Sequence, residues 1–304
     1  MRLVYYSLAT FPHDSREQQW IQSIRSLRKY NQSISVCLLL FNGGSNELQR
    51  EAERHGVHVQ LLGEYGWFLE SAHPRGSVLA LYPTFHKFLA LESLPLQGLT
   101  QLLYLDCDTF FSDDVNLLFD HYATHDWYAR EEYMSLRSPL GYDPKHIDEQ
   151  LLQYIARSEK LSYVPPFNSG VCLLNHDLWL RLQELSKTYL ELAWRLLCGR
   201  VLSAHEYGQH DLRIRQIVSD EVTDADRSQA LPYPSANDWI IEQIALWLAL
   251  GKLPHLSLGS FSSAEVCQGE EFENVLGSQQ RCVLAHYYTG MERQFFSRVP
   301  AIAL

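Results

Sequence analysis

The first 105 residues alternate short apolar runs with segments in which apolar residues recur at helical spacing. The apolar runs, typical of strands buried on both faces, are residues 3–8, 33–41, 57–62 and 101–105. The helical segments between them are residues 15–30, 45–55 and 77–93. Repeated strand–helix–strand crossovers predict an α/β fold with a mostly parallel sheet flanked by helices, whose ligands bind beyond the carboxyl ends of the strands.

The pattern is less regular in the rest of the chain. Residues 112–164 are aromatic and charged with few periodic runs, which fits either a lid or acceptor-side insertion or a set of packed surface helices. The clearest later elements are predicted as a short buried strand at 171–174, a long helix from His176 to about Gly199, a helix at 238–250 and a strand at 281–285.

Charge and composition exclude several classes of protein. The chain has 25 Lys+Arg and 36 Asp+Glu, so its net charge is 25 − 36 = −11, and it has no stretch of four or more consecutive Lys or Arg residues. This argues against binding to nucleic acid or to anionic membrane surfaces. No apolar stretch approaches the roughly 18 residues of a transmembrane helix, and no signal-peptide pattern opens the chain. Six scattered cysteines without a paired motif fit a reducing compartment, so we expect a cytoplasmic protein.

Two carboxylates follow the fourth apolar run directly. Asp106 and Asp108 are spaced i, i+2, so both side chains can face the same ion at the carboxyl edge of the sheet. Neighbouring carboxylates repel, and a divalent cation such as Mg²⁺ or Mn²⁺ removes that penalty while bridging substrate phosphates. The alternative is that these residues only end a strand and cap the next turn.

Four segments, in order, resemble the GT-A glycosyltransferases, particularly the glycogenin-like and lipopolysaccharide galactosyltransferase-like group of family 8 type. Residues 104–108 (Tyr-Leu-Asp-Cys-Asp) resemble the group's DxD motif. Residues 167–171 (Phe-Asn-Ser-Gly-Val) resemble its sugar-pocket segment, and residues 238–243 (Asp-Trp-Ile-Ile-Glu-Gln) resemble its Asp-Gln helix start. Residues 285–290 (Ala-His-Tyr-Tyr-Thr-Gly) resemble its C-terminal His-x-x-Gly-x-x-Lys motif.

The resemblance implies a single GT-A, Rossmann-like catalytic domain over residues 1–304. Residues 1–115 would form the nucleotide-binding half, and residues 116–304 would form a mixed acceptor half with a C-terminal metal and phosphate segment. Such an enzyme moves a hexose from a nucleotide diphosphate sugar, by default a UDP-sugar, to an acceptor hydroxyl of a saccharide or another molecule, with retention of anomeric configuration.

The resemblance also assigns roles to individual residues. Mn²⁺, or else Mg²⁺, would be held by Asp106, Asp108 and His286, although a lone histidine after an apolar run is more often a core group. The catalytic candidates are Gln243, Glu242 and Asp238, with the alternatives that Asp238 only caps a helix and that Glu242 lies on a solvated face. The donor would be bound by Ala9, Thr10, Arg75, Lys87, Asn168, Ser169, Gly170, Gly290 and Arg293. For Lys87 the alternative is an ordinary surface lysine, and for Asn168 a β-bulge or turn.

The chain departs from the family pattern at two places. Three residues separate His286 from Gly290, one more than usual, and Arg293 stands where the family has lysine. Arginine can still clamp a pyrophosphate through two hydrogen bonds. The family's Asp-Gln pair is matched by Glu242 and Gln243.

Two other functions remain open at this point. The departures fit a non-catalytic nucleotide-sugar-binding protein on the same fold. A haloacid-dehalogenase-like phosphatase also carries DxD after a strand, but its motif requires Thr or Val where this chain has Phe110, and it normally opens the domain.

Overall fold

The computed structural model describes residues 1–10, 15–63, 87, 94, 97–121, 125–131, 156–157, 159–198, 241–268, 271, 282–287 and 296. No helix in this described part is long and apolar enough to cross a membrane. The predicted helix at 77–93 lies outside it except for Lys87.

The N-terminal elements confirm the predicted alternation of strands and helices. They are β1 (Arg2–Ala9), α1 (Arg16–Tyr30), β2 (Ser35–Phe41), α2 (Asn46–Arg54) and β3 (His58–Leu62). Strand β1 pairs in parallel with β2, and β2 in parallel with β3. The bounds differ from the predicted ones by no more than two residues because the apolar periodicity and the turn residues mark them locally.

The remaining described elements complete two sheets. They are β4 (Gln101–Leu105), β5 (Thr109–Phe111), α3 (Asn116–His121), β6 (Trp127–Glu131), β7 (Phe167–Asn175), α4 (His176–Cys198), α5 (Ile241–Lys252), β8 (Leu258–Phe261), β9 (Val266–Gln268) and β10 (Leu284–His286). The larger sheet has seven strands in the order β3-β2-β1-β4-β7-β6-β8, and the smaller has the order β5-β10-β9. The mostly parallel sheet with flanking helices is therefore confirmed.

Strand β7 is longer than the sequence predicts, and its direction is opposite to that of β4. It begins at Phe167 rather than Val171, and it runs antiparallel to β4, with Leu105 opposite Val171. Consequently residues 168–170 lie within a continuous strand, and the alternative of a turn or bulge at Asn168 is wrong. The Asp106 amide donates to the Gly170 carbonyl over 2.7 Å, which extends this pairing past the end of β4.

The smaller sheet brings the C-terminal histidine to the end of β4. Strand β10 runs antiparallel to β5, and His286 lies opposite Thr109. It also runs parallel to β9. The predicted strand at 281–285 is thus shorter than expected and ends on His286 itself.

The core lies between the larger sheet and helices α1 and α2. Alternate residues of β1 and β2 point into it, as expected for side chains of period two along a strand. Each fully buried aliphatic side chain contributes about 1.5–3 kcal/mol. The core residues that β1, β2, α1 and α2 contribute are Val4, Tyr6, Leu8, Trp20, Ile21, Ile24, Leu27, Val36, Leu38, Leu40, Leu48 and Ala52.

The chain divides into two compact units. The first comprises Met1–Arg130, Asn168–Leu180 and Ser257–Leu304, and the second comprises Glu131–Phe167 and Arg181–Leu256. Within the second unit, the Phe167 ring packs edge-on against Trp247 of α5 at 5.9 Å between centroids.

Helix α2 begins with a side-chain cap. The Ser45 side chain accepts a hydrogen bond from the Leu48 amide over 3.2 Å. Ser15 holds the same position before α1 but makes no such bond.

We therefore expect Ser45→Ala to lower the free energy of unfolding by about 1 kcal/mol, since the Leu48 amide loses its acceptor. The matched Ser15→Ala change should cost less than about 0.5 kcal/mol. Urea denaturation of both variants measures the difference, and equal losses would contradict the role of the cap.

Candidate metal centre

Asp106, Asp108 and His286 converge at the carboxyl end of β4. One potential ligand atom from each side chain lies within 4.8 Å of the other two. His286 Nε2 is 3.3 Å from Asp108 Oδ1 and 3.7 Å from Asp106 Oδ2. This convergence of residues far apart in the sequence is the arrangement that the DxD and histidine motifs predicted.

Backbone hydrogen bonds hold the turn that carries the two carboxylates. The Asp106 amide donates to Gly170 of β7, and the Tyr287 amide donates to the Asp108 carbonyl over 2.9 Å. The turn is therefore attached on one side to the larger sheet and on the other to the chain directly after β10. Because His286 precedes Tyr287, the same attachment fixes the imidazole beside the carboxylates.

Three buried hydroxyl groups, linked to one another by hydrogen bonds, support this turn. Thr109 Oγ1 donates to the Asp106 carbonyl over 2.9 Å. Ser23 Oγ of α1 lies 2.9 Å from Thr109 Oγ1, and Tyr6 of β1 lies 2.9 Å from Ser23 Oγ. Since the Thr109 proton is used on the carbonyl, Ser23 must donate to Thr109 and Tyr6 to Ser23. No sequence motif predicts this support, because the three hydroxyl groups come from three separate elements.

Gly170 leaves the space in which the three ligands meet. A Cβ at this position would lie 2.2 Å from Cε1 and 2.4 Å from Nε2 of His286, and 2.7 Å from Asp106 Oδ2. Its backbone lacks the positive φ that favours glycine elsewhere in the described chain. The requirement for glycine here is therefore space.

The electrostatics of the site are those of a half-buried acidic pair whose negative charge the neighbouring residues compensate only in part. Burial, and then the negative charge of Asp106, raise the pKa of Asp108, and the facing His286 only partly opposes this. Burial by itself lowers the pKa of His286, but the charges of Asp108 and Asp106 outweigh it and raise that pKa above its ordinary value. Asp108 Oδ1 is buried and receives no hydrogen bond, although His286 Nε2 is close.

These features fit a divalent cation. An orphaned buried carboxylate oxygen, a second carboxylate and an imidazole are a donor set for Mn²⁺, and the imidazole makes the set less suited to Mg²⁺. The glycine keeps the space between the three ligands free of side-chain atoms. Asp106, Asp108 and His286 are therefore the residues that could hold a metal.

Lys87 lies beside the acidic pair. Its side chain is only 2% exposed, and its Nζ lies 3.0 Å from Ser169 Oγ and 3.5 Å from Asp106 Oδ1. The alternative of an ordinary surface lysine is therefore wrong. A buried lysine requires such partners because its charge is costly to remove from water.

The other predicted residues are placed as follows. Ala9 ends β1 and Thr10 follows it, where Thr10 Oγ1 donates to the Phe41 carbonyl over 3.3 Å. Asn168 Oδ1 accepts from the Gly170 amide over 2.8 Å, so this side chain also supports the local strand.

The candidates for catalysis belong to the second compact unit. Glu242 and Gln243 lie in the first turn of α5 and are both buried. The alternative that Glu242 lies on a solvated face is thus wrong, while the catalytic roles stay predictions. The candidates outside the described residues are Asp238, Arg75, Gly290 and Arg293.

We expect Gly170→Ala to weaken Mn²⁺ binding at least about tenfold, because the new methyl group must displace His286 or Asp106. Isothermal titration with MnCl₂ measures this. Gly63→Ala is the matched control, since a Cβ there meets nothing within 4 Å and its Mn²⁺ affinity should equal that of the parent chain. Unchanged affinity in Gly170→Ala would contradict the placement of the metal against this strand.

No protein-family model matches the chain, and no curated protein matches it. Several solved structures do match the chain. The galactosyltransferase LgtC, in complex with donor and acceptor sugar analogs, aligns with this chain with a TM-score of 0.51 and 12% identity. The alignment covers all of this chain and 95% of LgtC. The bifunctional glycosyltransferase WbbM in its apo form aligns with a TM-score of 0.51 and 11% identity, over 97% of this chain and 49% of WbbM.

Both neighbours are glycosyltransferases, and at these identities the likeness concerns the fold. The long alignment with LgtC takes in the sheet and the strands that carry the candidate metal ligands. The chain thus has the GT-A glycosyltransferase fold that its sequence motifs predicted.

Proposed function

We propose that this chain is a metal-dependent glycosyltransferase that transfers a hexose from a nucleotide diphosphate sugar to an acceptor hydroxyl. The observation that carries the proposal is the convergence of Asp106, Asp108 and His286 at the carboxyl end of β4 on a GT-A fold. Ligands of open α/β sheets bind at that edge, so a metal there would meet the diphosphate of a bound donor.

The bound cation supplies Lewis-acid neutralisation of the charge that develops on the departing nucleoside diphosphate. Asp106, Asp108 and His286 hold it, and the buried Lys87 adds a fixed positive charge next to Asp106. Arg293 would add a second basic group on the phosphates. The net negative charge of the chain makes such compensation necessary before an anionic donor can enter.

The donor is proposed to be bound by residues at the ends of several strands. Ala9 and Thr10 follow β1, the expected place of the base and ribose, and Asn168, Ser169 and Gly170 contribute from β7. Arg75 and Gly290 complete the proposed set. Asn168 carries both a donor and an acceptor for sugar hydroxyls.

The finer points rest on the sequence resemblance. UDP as the nucleotide, Mn²⁺ as the ion and retention of configuration are the family's defaults. Gln243, with Glu242 or Asp238 to orient it, is proposed to act near the anomeric carbon. A cytoplasmic location is proposed because the five cysteines whose side chains the structure describes are free and buried, as in reducing compartments.

The phosphatase alternative is not favoured. Its motif requires Thr or Val where this chain has Phe110, and its acidic pair normally opens the domain, whereas Asp106 and Asp108 here follow the fourth strand. A non-catalytic binding protein remains as the second candidate, because the altered His286 to Gly290 spacing would reduce turnover without removing the metal ligands.

We expect release of nucleoside diphosphate when the chain is incubated with Mn²⁺, a panel of nucleotide sugars and saccharide acceptors. Asp108→Asn should lower the rate at least about 100-fold, since it removes a metal ligand and about 2.7 kcal/mol of transition-state stabilisation. Asp120→Asn is the matched control, because this exposed aspartate pairs with Arg2 away from the ligands, and its rate should be unchanged.

The outcomes separate the candidates. Mn²⁺-dependent nucleotide binding without release of nucleoside diphosphate would support the non-catalytic protein. Neither binding nor release with any nucleotide sugar would contradict both. Release that survives Asp108→Asn would contradict metal dependence.

A further inference from the structure

The two carboxylate oxygens of Asp106 have different surroundings. The Tyr104 hydroxyl donates a hydrogen bond to Oδ1, and Lys87 Nζ lies 3.5 Å from the same oxygen. Oδ2 instead points toward His286 Nε2 at 3.7 Å and overlies Gly170. One oxygen is therefore held by protein donors, and the other faces the space between the three candidate ligands.

Tyr104 is rigidly placed to make this hydrogen bond. It is fully buried in β4, and its side chain projects on the same side as Asp106, two residues on. Its ring lies 5.1 Å from that of Tyr5, its register partner on β1, and the Tyr5 ring packs edge-on against Trp179 at 5.6 Å. The phenol therefore has little freedom to leave Asp106.

The direction of the hydrogen bond is fixed. The Tyr104 hydroxyl is the donor and Asp106 Oδ1 is the acceptor. A protonated phenol donates and an ionised carboxylate only accepts. The bond consequently uses a lone pair of Oδ1 and leaves those of Oδ2 for another partner.

We infer that Tyr104 is a positioning residue that fixes the Asp106 carboxylate so that Oδ2 alone binds the metal. The inference rests on the proposed metal centre and extends it to a residue outside the DxD sequence. Lys87 assists from the same side of the carboxylate. Without the hydroxyl, the carboxylate can rotate or chelate through both oxygens, and groups that orient ligands in this way contribute 10–100-fold to metal affinity.

The test compares three variants of the full chain by Mn²⁺ titration and by Mn²⁺ electron paramagnetic resonance. Tyr104→Phe should raise the dissociation constant for Mn²⁺ about tenfold and change the resonance spectrum of the bound ion. It should raise the Mn²⁺ concentration for half-maximal activity, while kcat at saturating Mn²⁺ stays within about twofold, because the hydroxyl acts only through Asp106.

Tyr5→Phe is the matched control. It removes a buried hydroxyl from the same ring pair, but that hydroxyl bonds to the Lys87 carbonyl at 3.4 Å and not to the carboxylate. If Tyr5 and Tyr104 only packed their rings against each other, loss of either hydroxyl would leave the Mn²⁺ affinity unchanged. Asp106→Asn is the reference for the metal centre itself and should abolish binding.

The outcomes distinguish failure of the proposed metal centre from failure of the proposed role of Tyr104. Unchanged Mn²⁺ affinity in Asp106→Asn would overturn the proposed metal centre. Loss in Asp106→Asn with unchanged affinity and spectrum in Tyr104→Phe would overturn only the role of Tyr104. If Tyr104→Phe does not fold, a crystal structure of the parent chain with Mn²⁺ decides: Oδ2 alone on the metal with Tyr104 on Oδ1 supports the inference, and bidentate Asp106 overturns it.

Discussion

The repulsion between Asp106 and Asp108 is the constraint on which the site depends. Burial, and after it the negative charge of the neighbouring Asp106, disfavour ionisation of Asp108 and raise its pKa. The protein compensates from three directions, with His286 facing Asp108 and with Lys87 and Tyr104 on Asp106. Compensation is incomplete because Asp108 Oδ1 accepts no hydrogen bond, and a divalent cation is the partner that would complete it.

This arrangement requires that the backbone hold the acidic turn in place against the repulsion. Pairing of β7 with β4 continues to Asp106, and the chain after β10 binds the Asp108 carbonyl. The Thr109 hydroxyl, which is linked to the buried hydroxyl groups of Ser23 and Tyr6, donates a further hydrogen bond to the Asp106 carbonyl. A rigid frame of this kind lets the site exchange ions and substrates without reorganising, which is the general requirement for electrostatic stabilisation of a developing charge.

The sequence predicted those features that are encoded locally. Apolar periodicity located the described strands and helices of the first 105 residues, the DxD after β4 located the acidic pair, and the C-terminal motif located His286 beside it. It did not predict the antiparallel direction of β7 or the start of that strand at Phe167, because strand pairing between distant segments leaves no local pattern. The steric need for Gly170 and the hydrogen bond from Tyr104 depend on the same distant pairings, and could not be inferred from motif spacing.

Anomalous diffraction at the manganese edge, from crystals of the full chain grown with Mn²⁺ and a nucleoside diphosphate, tests the central claim most directly. The account predicts one strong peak within coordination distance of Asp106 Oδ2, Asp108 and His286 Nε2, with diphosphate oxygens on its open side. A nucleotide bound at the carboxyl end of β4 with no peak among these three residues would contradict it.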